Sequence, residues 1–242
     1  MPSPDHNLFF ASRVENGFAY LDSEESRHAQ SVLRLSLGDA LAVTDGKGAV
    51  YDCIVQERLS EALSARILST RSVPRPQRSL SMFVGICDRD RFEELAENCA
   101  ALGANRIIPV VCRFCQKPWW SAWDKHSQRI RKKLVAGIKQ SHNPWLPLVT
   151  EPTTFSDALS QTEPSLMLAA DAGGKRVLEI VDKIKQSRVV SCFVGPPGGF
   201  SPQELETLKK AGATLVSLSA NRLRTELAAV VLCNAVKLAQ GE

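Results

Sequence analysis

The chain has 242 residues, 44% of them hydrophobic and 23% charged, enough to bury a core and unlike a disordered or fibrous composition. No uncharged apolar run is long enough to span a bilayer, and MPSPDHNLFF has no basic stretch followed by an apolar one, so the expected compartment is the cytoplasm, with no membrane partner. A net charge of +4 is too small to identify an anionic partner, so the distribution of basic residues has to decide.

Residues 1–72 read as short strands at 8–10, 18–20, 40–43, 49–55 and 64–68, separated by turn signals at Leu37-Gly38-Asp39 and Asp45-Gly46-Lys47-Gly48. A small barrel is the expected product. Between them, residues 24–35 have helical spacing, with His28, Val32 and Leu35 on one side and Arg27 and Arg34 outside. The stretch 71–78 holds two prolines and three arginines, a poor strand and a poor helix, and marks the boundary between regions 1–72 and 73–242.

Beyond it, apolar runs at 80–87, 107–111, 166–170, 189–194 and 214–218 alternate with amphipathic helices, the pattern of an α/β domain with a mainly parallel sheet. The seven cysteines, 53, 87, 99, 112, 115, 192 and 233, are odd in number and sit mostly in apolar segments, which favours free core thiols. Cys112-Arg-Phe-Cys115 has the spacing of half a zinc site, but His126 and His142 are far apart in sequence and there is no second CxxC, so no metal is expected. From Lys125 to Lys139, six cations follow one nearby acid, Asp124, while Ile130, Leu134 and Ile138 recur every four residues as a buried stripe. The outward charge suits either a solvated face or phosphate. Trp119, Trp120 and Trp123 just before it suit packing or base stacking.

The strand at 189–194 runs into Gly195-Pro-Pro-Gly-Gly-Phe200, then Ser201-Pro-Gln-Glu204, a capping box with proline at the first helical position. Glycines at the C-terminal end of a strand let a ligand reach the backbone, although a ligand-free turn fits as well. The spacing is neither a dinucleotide fingerprint nor a P-loop. Leu218-Ser-Ala-Asn-Arg-Leu-Arg-Thr-Glu226 also follows a strand and opens a helix, with Arg222, Arg224 and Glu226 within five residues. The final helix is apolar around most of its circumference, so it is expected to be buried in the fold or against a second copy of the chain, with a homodimer contact favoured.

The two motifs in this order resemble the SPOUT methyltransferases, and within them the family that methylates N3 of a uridine in bacterial small-subunit ribosomal RNA. His28-Ala-Gln-Ser-Val-Leu-Arg34, Gly38-Asp39 and Asp45-Gly-Lys-Gly48 are similar to that family's PUA-like RNA-binding domain. The resemblance covers nearly the whole chain. It implies a PUA-like barrel followed by a SPOUT domain whose parallel sheet is threaded into a deep trefoil knot. It also implies S-adenosylmethionine held by Leu168 and Ala169 and the loop after them, by Val194, Gly195, Gly198 and Gly199, and by Leu218, Ser219, Asn221 and Leu223. Arg224 and Glu226 would be catalytic, Arg224 toward the uracil oxygens and Glu226 orienting Arg224 or relaying the proton. Ribosomal RNA or the small subunit would meet His28, Arg34, Arg129, Arg131, Lys132, Lys139, Gln140 and Arg222.

The chain departs from the family's pattern at Pro197, Ser219, Asn221, Leu227 and Asn143, and at Asn98 and Ala101 in the helix near 92–102. An active uridine methyltransferase, an RNA-binding homologue without catalysis and an enzyme acting on another RNA all remain open on sequence alone.

Overall fold

Strand β1 (Leu8–Glu15) buries Leu8, Phe9 and Ala11 and exposes Ser12 and Arg13, with a register shift between Ala11 and Arg13 that interrupts the alternation of a barrel wall. A computed structural model describes residues 7–58, 62–115, 118–163 and 166–241, which fall into two compact units. In the first, β1, β2 (Phe18–Leu21), β3 (Ala40–Thr44), β4 (Ala49–Arg58) and β5 (Leu63–Ser72) close in the order β1-β2-β5-β4-β3. All pairings are antiparallel except the closing one, where Leu8 to Phe10 run parallel to Ala42 to Thr44. Phe9, Leu21, Leu41, Val43, Val55 and Leu63 fill the interior. β5 continues through Arg71 and Ser72, which pair with Val50 and Ala49, so the proline-rich connection begins only at Val73.

The helix expected at 24–35 is shorter. Helix α1 (Ser23–Arg27) is capped by Asp22, whose carboxylate accepts from the Glu25 N–H at 2.9 Å, and it passes into a single π-helical turn over His28–Val32. The wider turn rotates the face away from a 3.6-residue period. Val32 therefore stands exposed and Arg34 leaves in the left-handed region at φ 55°.

Residues 138–146 group with this barrel. The glycines of the 45–48 turn explain how they fit. A Cβ on Gly48 would lie 2.2 Å from the Trp145 ring and one on Gly46 would lie 2.9 Å from Leu146 Cβ. The Gly48 N–H donates to Pro144 O, Leu146 N–H donates to Gly46 O, and Lys139 pairs with Glu25, whose other oxygen accepts from Phe10 N–H at 3.0 Å.

The second unit is a seven-stranded sheet built from β6 (Ser79–Gly85), β7 (Arg106–Val111), β8 (Leu148–Val149), β9 (Thr153–Thr154), β10 (Leu166–Arg176), β11 (Val189–Val194) and β12 (Thr214–Ser217). Every pairing is parallel, in the order β12-β10-β11-β6-β7-β8, with β9 also against β7. Helices α2 (Arg89–Ala101), α3 (Trp123–Gln140), α4 (Phe155–Ser160), α5 (Val181–Gln186), α6 (Pro202–Lys210) and α7 (Thr225–Gln240) complete the chain. β11 sits between β10 and β6, and the chain returns through α6 to place β12 beyond β10, an order that fits the threading the resemblance implies. Phe83 and Phe193 stack at 4.5 Å in the core beneath.

Gly17 and Gly48 both have positive φ, 80° and 94°, but only Gly48 has a neighbour at its Cβ position. Gly17→Ala is expected to lower stability by about 1 kcal/mol through backbone strain alone. Gly48→Ala should add overpacking of roughly 1–3 kcal/mol against Trp145. Urea titration of both variants separates the two effects.

Candidate active site

The stretch after β11 is a tight turn. Gly199 N–H donates to Pro196 O at 2.7 Å, with Pro197 second in the turn and Gly198 third at φ 104°. Proline then a positive-φ glycine is the chemistry of a type II turn. Pro197 thus suits the loop it stands in, because the N–H it lacks takes no part in the turn bond. Gly195 is needed for a different reason: its Cβ would fall 2.8 Å from Gly199 C and Phe200 N. Gly85, at the end of β6, is needed for the same kind of reason, since its Cβ would meet Pro196 N at 2.4 Å. Sequence reading did not single out Gly85; a glycine closing an apolar strand was its only signal.

Not every glycine of the loop serves an approach from outside. The Cβ position of Gly198 faces Phe114 Cβ at 3.7 Å, whereas that of Gly199, at φ 85°, has no atom within 4 Å. Phe200 turns inward against Phe155 and the core. The loop is fastened to α6 by the predicted capping box: Ser201 N–H donates to Glu204 Oε2 at 2.7 Å and Glu204 N–H to Ser201 Oγ at 3.2 Å. The second carboxylate oxygen of Glu204 accepts from Arg113 N–H at 2.8 Å, which fixes the turn after β7 beside the glycine turn.

The second motif meets the first at one buried bond. Thr225 Oγ1, in the first turn of α7, donates to Gly195 O at 3.0 Å. Thr225 lies inside the quoted Leu-Arg-Thr-Glu run, but sequence reading gave it no role. Arg224 is the N-cap residue, exposed, and its side chain makes no capping bond. Glu226 is 14% exposed and lies 3.8 Å from Arg91 Nε at the start of α2, while Arg91 also reaches Glu94 at 3.4 Å. Among the described residues no ion pair joins Arg224 to Glu226. Ser219, Asn221 and Arg222 are exposed between β12 and α7, and Leu218 and Leu223 are half-buried. Asn221 N–H donates to Ser219 Oγ at 3.1 Å.

The third loop leaves the middle of β10. Ala170 and Lys175 both face Val216, so 171–174 bulge out between them. Gly174 permits this, since its Cβ would be 2.4 Å from the Leu215 and Val216 backbone. Leu168, Ala169 and Val194 themselves are buried in the sheet, so what they offer a ligand is the direction of the loops that follow them.

The residues expected to face RNA are spread over both units. His28, Arg34 and Gln140 are exposed in the first, where Lys139 is paired to Glu25. In the second, Arg131 and Lys132 are exposed on α3, but Arg129 holds Glu93 at 3.2 Å and Lys133 holds Glu97 at 2.7 Å. Trp119 packs on Phe92 and donates from Nε1 to Cys87 O at 2.8 Å, a structural use of that ring.

Residues 74–237 match a family model described as an RNA methyltransferase domain. The chain belongs to the RNA methyltransferase family. Residues 21–68 match the RNA methyltransferase PUA domain. Two relatives called ribosomal RNA small subunit methyltransferase E are 28% identical to this chain. That of Rickettsia conorii covers 96% of the chain and 95% of its own length; that of Mycobacterium tuberculosis covers 95% and 90%. The crystal structure of the Neisseria gonorrhoeae ribosomal RNA small subunit methyltransferase E, bound to S-adenosylmethionine, shares this fold with a TM-score of 0.82 at 22% identity, over 96% of this chain and 97% of that one. The barrel is thus a PUA-like module and the parallel sheet an RNA methyltransferase module.

The joint between the motifs is testable. Thr225→Val keeps the shape but leaves Gly195 O without its donor, which is expected to lower stability by about 1–3 kcal/mol. Thr225→Ser should recover most of the loss, as read by urea unfolding.

Proposed function

We propose that the protein transfers a methyl group from S-adenosylmethionine to N3 of a uridine in small-subunit ribosomal RNA. The observation that carries this is the Thr225 to Gly195 bond, which holds the glycine turn against the start of α7 at the C-terminal ends of parallel strands. Ligands of open α/β sheets bind at that edge. The residues present fit the cofactor. Gly199 leaves its backbone open on one side, Ser219 and Asn221 offer exposed polar groups, Leu218 and Leu223 offer half-buried apolar walls, and the 171–174 bulge brings a third loop to the same edge. Gly195 and Gly198 shape the turn that presents Gly199. When bound, the cofactor supplies an electrophilic methyl group on a sulfonium.

The chain's part is positioning and charge. N3 of uridine carries a proton at neutral pH, and negative charge grows on the flanking oxygens as that proton leaves. Arg224, exposed and free of a capping bond, is the group we assign to those oxygens. Glu226, held by Arg91, is assigned to proton handling beside it. His28, Arg34, Arg131, Lys132, Gln140 and Arg222 are the exposed groups we assign to RNA, with Arg129 and Lys139 contributing only where phosphate competes with their carboxylate partners. We place the reaction in the cytoplasm. Among the described residues no helix is long and apolar enough to cross a membrane.

Methyl transfer from labelled cofactor to small subunits lacking the modification, followed by mapping of the base, tests this reading; transfer to a base other than uridine, or none, overturns it. Arg224→Ala should lower kcat by roughly 10²-fold or more while leaving cofactor affinity within a few-fold, because the contact strengthens as charge develops. Single-turnover rates alongside calorimetric titration read the two effects separately.

We also assign a homodimer to α7. Leu227 is 49% and Leu238 66% exposed, and with the half-buried Val230 and Val231 they line one side of the helix. Leu238→Glu alters an exposed side chain and should leave the fold intact while giving a monomer in sedimentation at micromolar concentration. A wild-type monomer under the same conditions removes the dimer.

A further inference from the structure

The loop beside the glycine turn carries chemistry that methyl transfer does not use. Cys112-Arg113-Phe114-Cys115 follows β7 and closes as a turn in its own right, with Cys115 N–H donating to Cys112 O at 3.2 Å. The two cysteines are therefore the first and fourth residues of a β-turn, whose Cα atoms lie within about 7 Å. A disulfide spans about 4.4–6.8 Å between Cα atoms. Cys112 N–H also donates to Cys115 Sγ at 3.1 Å, and that sulfur lies 3.5 Å from Val110 O. Of the seven cysteines, six are buried and Cys115 alone is partly exposed.

We propose that Cys112 and Cys115 are a redox pair: a low-molecular-weight disulfide oxidises them to an intramolecular disulfide, which reshapes the turn packed on Gly198 and weakens cofactor binding. The consequence for the cofactor rests on the reading of the glycine loop given above. Geometry links the two loops at two points, Phe114 against the Gly198 Cβ position at 3.7 Å and Arg113 N–H on the capping carboxylate of Glu204 at 2.8 Å. Phe114, between the cysteines, is 45% exposed. Forming the disulfide removes the Cys115 S–H that donates to Val110 O and resets the side-chain torsions of both cysteines around Arg113 and Phe114.

The thiols are matched to this task. Hydrogen bonding from the Cys112 thiol holds Cys115 down, to about 7, against the opposing effect of burial. Cys112 is pushed well up by the same bond and by burial. Cys115 is thus the attacking thiolate and Cys112 the reserve. The Cys115 thiolate attacks one sulfur of the oxidant disulfide, forms a mixed disulfide and expels a thiolate. The Cys112 sulfur then gives up its proton, attacks Cys115 Sγ and expels the second thiolate. Counting the proton that Cys115 had already lost to water, two electrons and two protons pass to the oxidant, which leaves as two thiols. Cys87, nearby but 1% exposed and pushed up to about 12 chiefly by burial, is a poor competitor.

The test treats reduced protein with oxidised glutathione, maps the cysteine links by peptide mass, and titrates each redox form with S-adenosylmethionine. A Cys112–Cys115 link with cofactor affinity about tenfold weaker, restored by dithiothreitol, is expected. Cys112→Ser should stop at glutathione on Cys115, and Cys115→Ser should keep its affinity under the oxidant. No link, a link to Cys87, or a link with unchanged affinity overturns the inference. If reduced protein binds no cofactor, the methyl-transfer reading fails instead. Hydrogen exchange of residues 195–201 in the two redox forms then decides: unequal exchange supports the redox pair and equal exchange overturns it.

Discussion

Backbone must meet backbone at the end of β11, and the rest of the site depends on it. Gly85 and Gly195 carry no Cβ because strand end, turn and helix start approach to distances that a Cβ cannot share, 2.4 Å and 2.8 Å. Into that packing the Thr225 hydroxyl delivers a hydrogen bond to Gly195 O. The two loops that bracket the proposed cofactor site are therefore parts of one buried joint. Close packing transmits displacement. A change in any of the three elements is felt by the other two.

Charge is arranged with equal economy around that joint. Glu204 satisfies both its oxygens, one on its own helix start and one on the loop after β7, so a buried carboxylate couples two segments 91 residues apart in sequence. Glu93, with 5% of its side chain exposed, is matched by Arg129 and approached by Arg89 at 3.7 Å. Cations that look available for RNA in a linear reading are thus partly committed to the protein's own acids. A phosphate must displace those acids to use them, while Arg222 and Arg224 stand exposed next to the proposed site.

The elements read from periodicity and caps are the ones found: the barrel strands, the parallel sheet, the Ser201 capping box and the apolar α7. The misreadings share a cause. Residues 24–35 have a helical pattern, but one π-helical turn at His28–Val32 shifts the face and exposes Val32. Residues 138–146 carry no local signal that they pack with the barrel, because the decisive feature is room left by Gly46 and Gly48 far earlier in the chain. Likewise the short strands β8 and β9 are too brief to show a period at all.

The sequence by itself determined the two modules, the motifs at the strand ends and the family, because these are written in local spacing: alternation, capping residues, glycine and proline in turn positions. The tertiary structure alone decided that Gly195 and Gly85 serve packing while Gly199 stays open, that Glu226 pairs with Arg91, and that Thr225 joins the motifs. It also placed Phe114, between two cysteines, on Gly198. Each of these is a contact between residues remote in the chain, set by strand order and register, and no local pattern encodes which distant backbone will arrive at a given side chain.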